Sequence, residues 1–246
     1  MKIVLFSDMH ANLYAFEKAL QSIDAQQPDA IYCLGDLVGY HLYPNEVINA
    51  IRKRGIATIA GNHDAKVAKL TTEQLAEGGK NYAYGLIGDS EKTYLATLPA
   101  HIRLEFKLQG QLLTILLVHG SPTSNDEYLL ADKDEAEFIE VFAKAKADIL
   151  CFGHSHKPYH RILTNEISGQ TTYLHAINTG SVGKPKDGNP QGGYVVLTIH
   201  DNSSRTNKDS VTVEFIRFDY DVEKAARDIE DSPLANEFAD MLRKAY

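Results

Sequence analysis

The run DILCFGHSHKP places His154 and His156 two residues apart, directly after an apolar stretch and a glycine. On an extended backbone, residues two apart point to the same side, so both imidazoles are expected to aim at one spot. The pair is a ligand arrangement if a cation sits there and a solvated turn if none does. It has company. KIVLF runs into Ser7-Asp8-Met9-His10, AIYCL into Gly35-Asp36, IATIA into Gly61-Asn62-His63-Asp64, and LLTILLV into His119-Gly120. Five apolar runs thus deliver Asp8, His10, Asp36, Asn62, His119, His154 and His156.

Oxygen and imidazole donors without thiolates suit borderline divalent ions such as Mn, Fe, Zn, Ni or Co. Seven such side chains exceed what one ion takes, even in an octahedral site. Two ions sharing one carboxylate would use them all, with Asp36 in the middle. The neighbouring glycines let the backbone turn sharply and leave room for an anion. Each residue also has an ordinary role open to it. Asp8 and His10 can cap a helix that starts near Asn12, Asp36 and Asn62 can serve turns, and His119 can be a satisfied core histidine. The confinement of the whole set to strand ends favours a shared metal site.

The elements that must position these residues follow from periodicity. KIVLF reads as a strand, and NLYAFEKALQSI as a helix with Leu13, Phe16, Leu20 and Ile23 on one stripe. AIYCL is a second strand. PNEVINAIRKRG is a helix opened by Pro44 and closed by Gly55, and IATIA is a third strand. A βαβαβ opening implies parallel strands with right-handed crossovers, and ligands bind beyond the carboxyl ends of such strands. Residues from about 65 to 99 read as a helical cap or insert. LLTILLV, a helix at DEAEFIEVFAKAKA, and DILCF follow, then the β-type runs TTYLHAI, YVVLTI and VTVEFIRF. DNSSRTNKDS (201–210) reads as a hairpin loop, and two helices occupy 221–246. Early β/α alternation followed by consecutive strands predicts two packed sheets flanked by helices, in one domain over 1–246.

Bulk properties narrow the partners. The chain has 246 residues, 43% of them hydrophobic, and a formal net charge of −8. It has no basic cluster, so stable nucleic-acid binding is not expected. A small anionic substrate is compatible with the acidic balance, because bound cations invert the local field. MKIVLF is too short for a signal-peptide core, and no stretch approaches the roughly 18 apolar residues of a membrane span. Cys33 and Cys151 read as core thiols of a cytoplasmic protein rather than a bridge. The two C-terminal helices either cover an edge of the sandwich or mediate a homo-oligomer.

In this order, D-x-H, G-D, G-N-H-D, V-H-G and G-H-S-H resemble the calcineurin-like metallophosphoesterase superfamily. GDLVGYHLYPNEV, VHGSP, NDEYLL, INTGSVGKPKDGNP and FDYDVEKAARDI look like its small bacterial and archaeal phosphodiesterase branch, so the resemblance spans essentially the whole chain. It implies an α/β fold of the four-layer α/β/β/α sandwich type, with two mixed β-sheets flanked by helices. It also implies two divalent metal ions, manganese favoured. Asp8, His10 and His156 would hold the first, Asn62, His119 and His154 the second, and Asp36 would bridge them. The implied activity is phosphoester hydrolysis, foremost of phosphodiesters in small phosphorylated substrates. A hydroxide bridging the metals would attack phosphorus, with His63 as general acid. Alternatives are a phosphomonoesterase, a dinucleoside polyphosphate hydrolase, and a non-catalytic protein-binding scaffold. Scaffold members typically lack a ligand, and here the set is complete.

Departures from the family bear on substrate. Gly39-Tyr40 stands where protein phosphatases of the superfamily carry an Asp-Arg pair, so that clamp is missing. His41-Leu42 replaces the Gly-Pro usual in the phosphodiesterase branch; His41 lines the pocket or, more simply, is an exposed loop histidine. Lys186 stands in place of an arginine, giving a point charge instead of a planar fork. With Asn62 and His63, His41 and Lys186 complete the candidate substrate contacts. The chain has no tryptophan, including after G-N-H-D, where relatives often carry one, so the cap differs in shape.

Overall fold

β1 (Lys2–Phe6), α1 (Leu13–Ala25), β2 (Ala30–Cys33), α2 (Pro44–Arg54) and β3 (Ala57–Thr58) form the expected βαβαβ opening, with parallel β1–β2 and β2–β3 pairs. The structure is a computed structural model that describes residues 1–76, 79–167 and 169–246. Asn12 starts α1, its side-chain oxygen accepting from the Ala15 amide at 3.2 Å, and Ala15, Phe16, Ala19, Leu20 and Ile23 form the buried stripe. Asp8 and His10 therefore do not cap this helix. Pro44 sits in the first turn of α2, and Gly55 ends it at a φ of 63°. β3 is shorter than the IATIA run. The Ile59 amide still bonds Cys33 O, but the Ala60 amide turns away to Pro99 O at 2.8 Å, and the chain leaves the sheet.

The stretch that follows is helical as expected, apart from residues 77–78, which lie outside the described residues. It comprises α3 (Asn62–Val67), α4 (Thr72–Ala76), a 3₁₀ turn at Gly79–Asn81, α5 (Tyr82–Gly85) and α6 (Asp89–Ala96). Val67, Tyr84, Ile87 and Leu95 turn inward and join the core around α1 and α2.

The second half runs β4 (Ile102–Leu108), β5 (Gln111–Leu117), α7 (Glu135–Ala145), β6 (Ile149–Phe152), β7 (Tyr159–Ile167), β8 (Gln170–Asn178), β9 (Gly192–Ile199), β10 (Val211–Phe218), α8 (Val222–Glu230) and α9 (Glu237–Lys244). β4 and β7 are additional to the sequence-based strands. Both are edge strands, and in β4 half-buried and exposed side chains alternate along IRLEFKL.

One sheet has the order β10-β9-β1-β2-β3 and the other β4-β5-β6-β8-β7. Each is mixed: parallel β1-β2-β3 and β5-β6-β8 are flanked by antiparallel strands. β1 shows how the layers are filled. Ile3 and Leu5 enter the core between the sheets, while Val4 and Phe6 alternate to the helical side. Burying each such side chain stabilises the fold by about 1.5–3 kcal/mol. A third apolar layer joins α7 to the outer face of the second sheet. The result is the four-layer α/β/β/α sandwich.

α8 and α9 lie beside α1, where Asp228 Oδ2 accepts from Tyr14 Oη at 2.6 Å and Ala226, Ile229 and Leu242 enter the core. They cover a face of the first sheet rather than its edge. Cys33 and Cys151 are buried and unpaired, in different sheets. No described helix is long and apolar enough to cross a membrane.

Candidate metal centre

The turns after the parallel strands bring the seven predicted ligands together, and their backbone is unusual. Asp8, His10, Asp36, His154 and His156 have φ between 49° and 64°, in the left-handed region. Such conformations cost a non-glycine residue on the order of 1–3 kcal/mol and persist where the surroundings over-determine them. Aspartate and histidine are among the types that tolerate the region best. This geometry corrects the extended reading of His154 and His156. Beyond β6 the chain turns at both residues, and the imidazoles part. His156 Nε2 lies 3.1 Å from both Asp8 Oδ1 and His10 Nε2. His154 instead gathers with Asp36 and His119, the ligand atoms of each trio lying within 4.8 Å of one another.

Both carboxylates divide their oxygens in the same way. Asp8 Oδ2 accepts from Ser7 Oγ at 2.5 Å and from the His154 amide at 3.1 Å, while Oδ1 faces the histidines. Asp36 Oδ1 accepts from the His63 amide at 2.9 Å, while Oδ2 lies 3.3 Å from His119 Nε2 and 3.6 Å from His10 Nε2. Three rings are fixed by backbone carbonyls: His10 Nδ1 on Val38 O at 2.9 Å, His119 Nδ1 on Leu34 O at 2.8 Å, and His156 Nδ1 on Lys184 O at 2.5 Å. A ring nitrogen facing a carbonyl must donate, so in each neutral ring the lone pair is on Nε2, the atom turned into the cluster. Asn62 Oδ1 completes the His119 side at 3.1 Å.

These atoms fit divalent cations. Asp8 Oδ1 and His154 Nε2 are buried without a hydrogen-bond partner. A buried polar atom left unpaired is costly. Asp8 Oδ1 is near His156 Nε2, yet the two do not align as donor and acceptor. Asp8 belongs to the trio with His10 and His156, and His154 to the trio with Asp36 and His119, so each orphaned atom sits in one of the two ligand groups.

Other residues hold this arrangement. The buried Asp64 carboxylate accepts from the amides of Asp36 (2.8 Å), Leu37 (2.9 Å) and Gly61 (2.9 Å). Ser181 Oγ donates to Asp8 O and Asn178 Nδ2 to Gly153 O, both at 2.8 Å. A β-carbon on Gly153 would lie 2.6 Å from Asp8 Oδ2, so only glycine fits there. Ser7, Asp64, Asn178 and Ser181 were not identified from sequence in these roles. They stand inside the quoted motifs, but a motif does not print who bonds to whom.

Electrostatics follow from burial and neighbours. Burial opposes charge on Asp8 and Asp36, yet His156 beside the first and His119 beside the second hold both below the usual carboxylate range. Burial also opposes charge on His119, but the Asp36 carboxylate outweighs it and raises that imidazole to about 10. Burial pushes His156 down to about 4 and His63 to about 3. A proton on His119 thus occupies the field that a cation would fill.

The candidate substrate contacts fare differently. The ring of His63 lies 4.8 Å from that of His10, and it joins His10 and Asp36 in a third trio of converging atoms. Lys186 is half-buried, its amide donating to His156 O at 3.3 Å. His41 is not an exposed loop histidine: it is 3% exposed, and burial lowers it to about 3. Two tyrosines flank the cluster. Tyr40 meets the His10 ring edge-on at 4.8 Å, and Tyr128 stacks on His154 at 4.2 Å. Beside Asn62, a cavity of about 480 Å³ is lined by Lys66, Lys69, His101, Ser121, Thr123 and Ser124.

Fold and site together define a two-sheet α/β protein with a buried oxygen-and-imidazole cluster at its strand ends, a candidate metal centre. The chain belongs to the calcineurin-like phosphoesterase superfamily, whose domain model matches residues 1–202. An uncharacterized protein of Methanocaldococcus jannaschii is 30% identical over 240 residues, covering 91% of this chain and 89% of that one. Among solved structures, a metallophosphoesterase from Sphaerobacter thermophilus superposes with a TM-score of 0.78 at 24% identity, each chain covered in full. A hypothetical protein from Pyrococcus horikoshii gives 0.76 at 20% identity, covering 100% of this chain and 98% of that one. Membership and site agree on a metal-dependent phosphoesterase.

Proposed function

We propose that this protein is a phosphodiesterase acting on a small phosphorylated substrate with two divalent cations, manganese favoured. The observation that carries this reading is Asp36. Its Oδ2 reaches His10 Nε2 at 3.6 Å and His119 Nε2 at 3.3 Å, so one carboxylate serves two ligand groups. Asp8, His10 and His156 would hold one ion, and Asn62, His119 and His154 the other. When bound, the cations supply Lewis-acid polarisation of the phosphoryl group and a water acidic enough to react at neutral pH. The chain's own groups do the rest. His63 stands beside the cluster as donor to the leaving oxygen, and Lys186 offers a point charge to the phosphate. Gly39-Tyr40 in place of an Asp-Arg pair argues against a protein phosphatase.

The test is hydrolysis of bis-p-nitrophenyl phosphate and p-nitrophenyl phosphate by metal-stripped protein reloaded with Mn²⁺, Ni²⁺ or Mg²⁺. The diester should turn over faster, with Mn²⁺ or Ni²⁺ the better ions. His63→Asn should retain its metal and lose about 10²–10⁴-fold in rate. Faster turnover of the monoester would move the assignment to a phosphomonoesterase. No turnover of either under any metal would favour a binding scaffold.

A further inference from the structure

The hydroxyl of Tyr84 makes close contact with His63 Nδ1. The two rings stack with centroids 6.0 Å apart and planes 22° from parallel. Tyr84 comes from α5 of the helical segment, 21 residues beyond His63, and is 2% exposed. The Lys66 ammonium lies over the same ring, 4.7 Å from its centroid. Space for the contact is kept by Gly39, at φ +92°, where a β-carbon would stand 2.6 Å from His63 Nδ1 and 3.2 Å from the Tyr84 hydroxyl. Three separate stretches of chain therefore meet to make one hydrogen bond.

The direction of that bond can be argued. A phenol with an ordinary pKa of about 10 keeps its proton at neutral pH. Among the described residues the Tyr84 hydroxyl makes no other hydrogen bond. If Nδ1 carried the imidazole proton, the hydroxyl would accept, and its own proton would be a buried donor with nowhere to go. If the hydroxyl donates, Nδ1 is the acceptor, and a neutral ring then carries its proton on Nε2. The resulting imidazole resembles an oriented amide donor: one nitrogen is held by the scaffold and the other offers N–H to whatever binds at the cluster.

We propose that Tyr84 is a positioning residue that fixes His63 as the Nε2–H tautomer, so that His63 delivers a hydrogen bond to the leaving oxygen of the phosphoester. The inference rests on the phosphodiesterase reading for its consequence in rate, but not for the tautomer. A donor to the leaving oxygen matters most when the leaving group is a poor one. A merely structural residue would slow all substrates alike.

Two measurements test it, both on the full chain with wild type and Tyr84→Phe. The first is nitrogen-15 spectroscopy of the metal-free protein, with the His63 signals assigned from His63→Asn. Wild type should show a protonated Nε2 and an unprotonated Nδ1, and Tyr84→Phe should show a mixture. A protonated Nδ1 in wild type overturns the proposal. The second is hydrolysis of diphenyl phosphate against bis-p-nitrophenyl phosphate by the Mn²⁺-loaded enzymes. Loss of one oriented hydrogen bond should lower kcat for diphenyl phosphate about tenfold at unchanged KM, with less than about a twofold loss for the activated diester. Equal losses on both diesters, at equal metal content, overturn the positioning role. If wild type hydrolyses neither diester, the phosphodiesterase reading fails while the tautomer still decides this one.

Discussion

The two ligand groups share Asp36 but differ in their surroundings. Asp8 and His10 are fully buried and His156 is 2% exposed, and the group is tied into both sheets through Ser7, Ser181 and the Lys184 carbonyl. The other group borders the outside. Asn62 is half-buried beside the cavity of about 480 Å³, and His154 lies under Tyr128, which is 52% exposed. One group is therefore wholly enclosed, while the other keeps His119 buried but borders the cavity through Asn62. An enclosed ligand set is expected to bind its ion tightly and exchange it slowly, and an open one to trade affinity for access.

The largest perturbation should come from the residue that belongs to both sides. Asp36→Asn removes the shared charge, and the expected outcome is loss of ions from both groups with activity down by more than about a hundredfold, beyond the range for supporting residues. Metal analysis after gel filtration reads it. Retention of both ions would remove Asp36 from its central place.

A smaller effect should separate the groups. Ser7 is buried and bonds Asp8 Oδ2 at 2.5 Å and Thr179 Oγ1 at 2.8 Å. Ser7→Ala should weaken Mn²⁺ binding at the enclosed group by about 10–100-fold and leave the open group unchanged, as equilibrium dialysis would show. Equal weakening of both would mean that the contrast does not govern affinity.

The smallest effect per step lies in pH. In the metal-free protein His119 is raised to about 10, so between pH 7 and 9 it carries a proton that a cation must displace. His156, pushed down to about 4, has none to release there. Affinity at the open group should therefore rise about tenfold per pH unit and level off near pH 10, while the enclosed group gains nothing from His156. Mn²⁺ titrations at pH 7, 8 and 9 would show one steep and one shallow dependence. Equal slopes would break the comparison.

Much of this site was legible in the sequence, for a physical reason. Parallel strands send their carboxyl ends to one side, so polar residues placed only there must converge, and Asp8, Asp36, Asn62 and His119 could be read as a set though not singly. The partition of His154 and His156 followed from the family resemblance and not from their spacing. It depends on two left-handed residues, and an extended template predicts the opposite. The burial of His41 is not legible in the sequence, because burial in a loop comes from what packs over it, not from its neighbours in sequence. Ser7, Asp64 and Tyr84 act through side-chain contacts whose partners lie between one and 173 residues away. In the fold, β3 stopped early because Pro99 captured the next amide. β4 carried a plain two-residue alternation that betrays an edge strand.

The left-handed turns have a further consequence for how the molecule comes apart. At about 1–3 kcal/mol each, five such residues store energy comparable to the net stability of many domains. The three apolar layers must outweigh that before any ion arrives. Without cations, amide hydrogens at the strand-end turns should then exchange sooner than those of the sheets behind them. Binding of metal would then slow exchange at those same turns.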